Sequence, residues 1–339
     1  MNPERFLSIT RKYPRLRVAV VGDFCLDRYL EIDPARRETS LETGRPVHNV
    51  VRVRSQPGAA GTILSNLVAL GVGQIYPVGF CGEDGEGFEL RRALQGRAGV
   101  RLDYFFQTPL RRTFTYCKPL LVAPGQPPVE LNRLDSKNWT PTPLSLRAQI
   151  AAAVCALAGR VDAIILMDQV DAAGTGVLTA PVLAAINAVR RARPGLLILA
   201  DSRRGLKGFP PVDLKMNRAE LGVLAGVKRK LNLAEIKSQA ARLARRRSRK
   251  VFVTLAEQGI VGAAADGAVA HAPVLPVRGE IDIVGAGDAV TANLTTALAA
   301  GASLPEALAL ANAAGSIVIH QLGTTGTASV AQLRKKLRA

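Results

Sequence analysis

Apolar residues recur along this chain in two distinct periods. Nearly unbroken aliphatic runs at 16–22, 161–167, 195–200 and 251–254, each bounded by turn-forming residues, predict strands buried on both faces. Segments 145–157, 181–193 and 233–247 instead carry apolar residues at helical spacing; in the last, Ile236, Ala240 and Leu243 share one face. A short leading helix is expected over 2–12. A capping box of Ser303 and Glu306, with Pro305 inside the first turn, opens another helix late in the chain. Strands alternating with helices of these lengths predict an α/β fold, a mostly parallel sheet covered on both faces.

Two stretches break that rhythm. Residues about 30–56 and 102–135 are more polar, and their short alternating segments, such as 47–54 and 113–116, read as strands of a separate small β-layer. Between them, 56–71 reads as a turn through Gly58 and Ala59 that opens a helix with Ile63, Leu67 and Leu70 on one side. The reading is of a single domain over 1–339, with the two polar stretches forming a lid.

The densest candidate chemistry lies in 279–323. An extended 281–284 runs into Gly285, Ala286, Gly287 and Asp288, and an Ala-rich helix follows at once. Glycines there keep side chains out of the way, so N–H groups opening the helix can face an anion. Asp288, in the same first turn, can accept a proton from an attacking hydroxyl. By itself, GxGD reads equally well as a tight turn with a capping acid. Upstream, Asn217 and Glu220 stand three apart at a helix start, where they can hold Mg²⁺ through water or cap the helix. The strand at 16–22 delivers Asp23 and Asp27 to the carboxyl end of the sheet, where open α/β sheets bind ligands. A buried Asp27 calls for hydroxyl donors from a sugar, or for a salt bridge with Arg28 or another arginine.

Several of these segments form an ordered series: GDxxLDRY from Gly22, NxxE from Asn217, VTxxxxG from Val253 to Gly259, DxVGAGD from Asp282, Asn312 to Gly315, and Leu322-Gly323-Thr324. The series resembles the PfkB/ribokinase family of sugar kinases over nearly the whole chain, and GDxxLDRY is similar to its heptose-7-phosphate kinase branch. The resemblance implies a ribokinase-like three-layer sandwich with a β-strand lid. It also implies transfer of the γ-phosphate of ATP to a sugar or sugar-phosphate hydroxyl. D-glycero-D-manno-heptose 7-phosphate is the first candidate acceptor; ribose, fructose or ketodeoxygluconate types are alternatives, as is a catalytically silent kinase-fold scaffold.

Carried over position by position, Asp288 would be the base and the Gly285, Ala286 and Gly287 amides the anion hole. Asp27, Gly58, Ala59 and Thr62 would hold the sugar. Asn217, Arg203, Thr254, Gly259 and Asn312 would contact ATP, with Asn217 and Glu220 holding Mg²⁺. Ala59 stands where the family has the second of two glycines, and Thr62 where it has an asparagine. No lysine occurs in 169–177, and Asp201-Ser202-Arg203 replaces an Asp-Pro-Lys. Lids in this family often pair between subunits, so a homodimer is an expectation. No nucleotidyltransferase domain is expected after the kinase pattern.

Composition adjusts the picture only at its edges. No apolar run is long enough to span a bilayer, no signal peptide is read, and four dispersed cysteines fit reduced, buried thiols; a cytoplasmic protein is expected. His48, His271 and His320 form no metal-binding spacing. The net charge is +18, and residues 201–250 contribute 15 Lys and Arg against 4 Asp and Glu. Nucleic acid is the lesser reading, because the densest run, 244–250, ends an amphipathic helix where cations are favourable. It also carries no aromatic residue for base stacking.

Overall fold

A computed structural model describes residues 1–338. Strand Arg17–Gly22 lies inside a nine-stranded sheet, parallel to Ala163–Asp168 on one side and to Gln74–Gly82 on the other. Beyond Ala163–Asp168 the sheet continues in parallel through Leu197–Ser202, Asp213–Asn217 and Val251–Thr254. Two antiparallel strands, Ile260–Ala263 and Val269–Ala272, finish that side, and parallel Phe105–Thr108 closes the other. The unbroken aliphatic runs are thus interior strands.

Alternation along a strand assigns side chains to two cores. Val18 and Val20 join the core under helices Pro3–Thr10, Ala60–Ala69, Ala286–Ala299 and Leu304–Val318. Ala19 and Val21 face the opposite core, under Leu144–Leu157, Ala180–Ala192 and Leu233–Arg247. This is the ribokinase-like three-layer arrangement. Helix Ala286–Ala299 is buried almost all round, which its small residues permit. Its interior Asn293, Thr295 and Thr296 donate back to the carbonyls four residues earlier, though the Asn293 side-chain oxygen keeps no partner among the described residues. On the leading helix, Arg5 reaches Glu306 at 2.7 Å and Lys12 reaches the Ala300 carbonyl at 2.8 Å.

A second sheet lies over the carboxyl ends of the parallel strands. Its strands run in the order Leu134–Ser136, Phe114–Leu121, Phe24–Ile32 and Val50–Ala59, with Val129–Glu130 paired to the far end of Phe114–Leu121. The lid differs from its expected limits in two ways. It begins at Phe24, because the chain leaves Gly22 without turning back; Asp27 therefore lies within a lid strand and not at the end of the main sheet. Phe105–Thr108 pairs with Gln74–Gly82 and extends the main sheet, its aromatic Phe105 packed edge-on against Phe24.

Three smaller expectations also change. Residues 281–284, expected to be extended, form no strand: 281–283 carry no regular structure, Val284 is in the turn, and the Asp282 N–H donates to the Ile319 carbonyl. Cys155 is exposed and Cys117 only half-buried, while Cys25 and Cys81 are buried; all four are free thiols. The basic run is partly structural, since Arg247 donates to the Phe209 and Pro210 carbonyls and Arg249 to that of Pro211. No helix among the described residues is long and apolar enough to cross a membrane.

Candidate active site

The turn before helix Ala286–Ala299 is made by Gly285 in the left-handed region (φ 79°), a conformation that glycine adopts without steric cost. Asp288 is the third residue of that helix. The Ala286 N–H donates to the Ile283 carbonyl at 3.2 Å, whereas those of Gly285, Gly287 and Asp288 have no acceptor among the described residues. The amides free to face an anion are therefore Gly285, Gly287 and Asp288; the expected Ala286 amide is already engaged by the turn.

Asp288 is half-buried and its carboxyl is pushed up to about 8. Burial is the main cause, the nearby charges of Asp201 and Asp27 add to it, and Lys215 opposes it. Beneath the turn, Lys215 bonds to Asp201 at 2.7 Å, and the Thr291 hydroxyl donates to the same carboxylate oxygen at 3.1 Å. Burial disfavours the Lys215 ammonium, but the Asp201 carboxylate outweighs that and holds it protonated. A methyl placed on Gly287 would stand only 3.1 Å from Lys215 Nζ, so the ammonium lies directly against the anion-facing backbone.

Across the turn from this network stands the lid side. Asp27 is 5% exposed, burial raises its carboxyl, and Lys118 lies 3.9 Å away, partly offsetting that. Arg28 is not its partner; it reaches Glu86 and Glu89 instead. Gly58 fits against Asp27 so closely that a Cβ there would come within 2.8 Å of the carboxylate. Thr62 is buried with an unpartnered hydroxyl, and its methyl lies against Gly285. Ala59 has φ 52° and ψ −115°, a conformation strained for a residue with a Cβ. Gln56 latches the lid to the loop beyond the helices, donating to Thr325 and accepting from Thr324 at 3.0 Å.

On the other flank of Gly287 opens a mainly apolar cleft of about 750 Å³. It is lined by Asn217, Thr254, Gly259 and Asn312 from the expected set, with Ile283 and Val290 among its apolar walls. Asn312 is also fixed by donating to the Pro273 carbonyl. Asn217 and Glu220 do form a capping box, as the alternative reading held. The box uses the Asn217 oxygen and one Glu220 oxygen, leaving the second carboxylate oxygen and the amide NH₂ available. Among the described residues no cluster of three or more side chains could grip a bare metal ion. One free Glu220 carboxylate oxygen, on the helix that Asn217 opens beside the cleft, suits a hydrated Mg²⁺ that arrives with phosphates.

Arg203 does not line this cleft. It lies over the other end of the lid, 3.6 Å from Asp171, in the loop where no lysine occurs. The cation nearest the anion turn is instead Lys215, which sequence reasoning passed over. Its signal was present: a lysine between Leu214 and Met216 in the buried part of strand Asp213–Asn217. Asp23 is likewise engaged by the fold: its carboxylate accepts from the Gln169, Val170 and Val177 amides and pins the loop after Ala163–Asp168.

Comparison with known proteins bears on this geometry. Residues 16–331 match the pfkB family carbohydrate kinases. The chain is 32% identical over 336 residues to the bifunctional protein HldE of Gluconacetobacter diazotrophicus and 32% identical over 326 residues to that of Rhodospirillum rubrum. Each alignment takes in 96% of this chain but 65% and 63% of those proteins, so the chain spans less than two thirds of their length. Among solved structures, Arabidopsis thaliana ribokinase complexed with ribose and ATP superposes with a TM-score of 0.66 at 21% identity, covering 96% of this chain and 99% of that one. Escherichia coli phosphofructokinase-2, in complex with substrates and products, gives 0.72 at 18% identity, covering 95% and 98%.

Proposed function

The chain belongs to the pfkB family of carbohydrate kinases, and we propose that it transfers the γ-phosphate of ATP to a hydroxyl of a sugar or sugar phosphate held between the lid and Asp288. The observation that carries this reading is the position of Asp288. It shares one helical turn with three unpaired amides, between the Asp27–Thr62 side and the large apolar cleft.

In this reading Asp288 takes the proton of the accepting hydroxyl. The Gly285, Gly287 and Asp288 amides stabilise charge on the transferred phosphoryl group, where losing one such donor typically costs about 10²–10³ in rate. Lys215 lies behind the same backbone and adds fixed positive charge without moving. The apolar cleft accepts the base and ribose of ATP, with Thr254, Gly259 and Asn312 along its walls. Bound Mg²⁺ would neutralise phosphate charge, and Asn217 with Glu220 would hold it through water. Asp27 accepts from sugar hydroxyls, and the unpartnered Thr62 hydroxyl supplies a further contact.

The GDxxLDRY segment from Gly22, similar to the heptose-7-phosphate kinase branch, makes a heptose 7-phosphate, accepting at its anomeric hydroxyl, the first acceptor to test. A homodimer through the lid is supported by the edge strand Val50–Ala59, which exposes Val51 and Val53. The lesser standing of a nucleic-acid partner is supported by Arg247 and Arg249 of the basic run, which serve as loop ties, and a cytoplasmic protein by the pfkB family match. The test is Mg²⁺- and ATP-dependent phosphorylation of heptose 7-phosphate by the purified protein, with Asp288→Asn as control. Turnover lost in the variant supports the reading. Turnover with other sugars only would replace the acceptor, and none across a broad panel would sink the kinase assignment.

A further inference from the structure

In a parallel sheet each strand starts, and each helix leading into a strand ends, at the edge opposite the ligand-binding end. Five segments meet at that amino edge: 11–17 at Arg17–Gly22, 97–101 beside Gln74–Gly82, 158–162 before Ala163–Asp168, 190–195 before Leu197–Ser202, and 245–250 before Val251–Thr254. Together they carry 15 Lys and Arg against one acid, Asp162. The carboxyl edge, in contrast, collects Asp168, Asp201, Glu220 and Asp288.

Few of these charges are neutralised. Arg17 pairs with Asp162 at 3.2 Å, and the buried Asp213 lies 4.0 Å from Lys250. Lys12, Arg97, Arg193, Arg247 and Arg249 are tied to backbone carbonyls and Arg160 to the Tyr104 hydroxyl, bonds that fix the side chains but leave their charge. Arg11, Arg15, Arg101, Arg191, Arg245 and Arg246 are exposed and have no carboxylate partner among the described residues. Cations suit helix C-termini, yet that effect is confined to the last turn, and Arg101, Arg249 and Lys250 stand in loops beyond it. So much like charge on one face opposes folding by self-repulsion, which an anionic partner relieves.

The breadth of the face selects the partner. From 97–101 to 245–250 it crosses six strand spacings of about 4.8 Å, roughly 30 Å in all, and its segments follow helices of both layers. A rod-shaped duplex meets only a strip of such a face, whereas a planar surface meets all of it. The one aromatic residue in these segments, Tyr13, is buried, which leaves nothing for base stacking. They also expose no large apolar side chain that could insert among acyl chains, so attachment is by charge alone. We propose that this amino-edge face adsorbs the protein to an anionic lipid bilayer, with the candidate active site turned away from it into solution. The inference uses neither the acceptor nor the nucleotide, so it stands or falls apart from the kinase reading. Adsorption is peripheral and reversible: each cation near such a surface strengthens it about fivefold, and salt screens it.

The test is cosedimentation of the full chain with vesicles of phosphatidylcholine, either alone or with about 30% phosphatidylglycerol. At about 0.1 M salt the protein should sediment with the anionic vesicles only, and about 0.5 M salt should release it. Arg15→Gln, Arg191→Gln and Arg246→Gln combined should weaken adsorption about 100-fold, with the melting temperature unchanged. The same number of charges removed from the lid, by Arg36→Gln, Arg45→Gln and Arg52→Gln, should leave adsorption within about threefold of the parent. Equal weakening by both sets would show net charge at work and overturn the face. No adsorption to anionic vesicles, or tighter retention by an arbitrary DNA duplex at the same salt, would overturn the lipid partner.

Discussion

Replacing Asp288 by asparagine separates its chemical task from its cost to the fold. The folded protein raises this carboxyl from an ordinary 3.8 to about 8, with burial the main cause. Well below pH 3.8 the group is protonated in the folded and unfolded chain alike, and the native state carries no penalty; at pH 4 the penalty is only beginning. As pH climbs towards 8 the unfolded chain ionises while the folded one holds its proton, so native stability falls across that window. At ~1.4 kcal/mol per pH unit, the full span caps the penalty at ~6 kcal/mol. Asp288 is only half-buried and Lys215 shares its field, so solvent screening brings the expected figure to ~2–3 kcal/mol. Urea unfolding of parent and Asp288→Asn at pH 4, 6 and 8 measures it. The variant should match the parent at pH 4 and exceed it by that amount at pH 8, while turnover falls by about 10²–10⁴. In the parent, kcat/KM should rise with pH along a limb centred near 8. A stability difference that does not change with pH, or a variant less stable than the parent at pH 8, would refute the electrostatic reasoning.

Three further substitutions probe other parts of the site. Ala59→Gly removes strain of about 1–3 kcal/mol but adds about 0.4–1 kcal/mol of unfolded-state entropy, so thermal unfolding should show a net gain near 1 kcal/mol; a lower melting temperature would count against the backbone argument. Thr62→Val removes a buried, unpartnered hydroxyl, so the free protein should be unchanged or more stable by about 1 kcal/mol while the acceptor KM rises about 10-fold; unchanged acceptor kinetics would exclude a sugar contact. Lys215→Met strands Asp201 and should destabilise the fold by about 3–5 kcal/mol. Adding Asp201→Asn should restore stability without restoring the transfer rate, and recovery of both would reduce Lys215 to a structural role.

The fold was legible in the sequence where one period governed a whole segment. The runs at 16–22 and 161–167 became interior strands because nothing but burial on both faces accounts for them. The candidate site was legible where its residues are adjacent in the chain, as at Gly285–Asp288, since a helix start fixes its own geometry, apart from the Ala286 amide that the turn engages. Reading failed where position depends on partners distant in the chain. Residues 105–108 alternate like a lid strand, and only the free edge of Gln74–Gly82 decides their sheet. Arg203 follows a strand end as a phosphate-binding residue would, yet Asp171 and the lid draw it to the opposite flank. Lys215 went unnoticed because an isolated lysine within a strand has no motif of its own; its meaning comes from Asp201 and Gly287.

The latch from Gln56 to Thr324 and Thr325 also sets an order of assembly. Its partners lie 268 and 269 residues apart, and the Arg5–Glu306 pair spans 301. Closing loops of that length is slow compared with forming local helices and neighbouring strands. On a ribosome, the lid strands and Arg17–Gly22 emerge with neither the helix that carries Asp288 nor the loop that fastens Gln56. The candidate site is thus completed in one late event, once residues beyond 320 have been made. Until then Phe24 and Leu26 of the lid lack the Ala286–Ala299 side of the core they share.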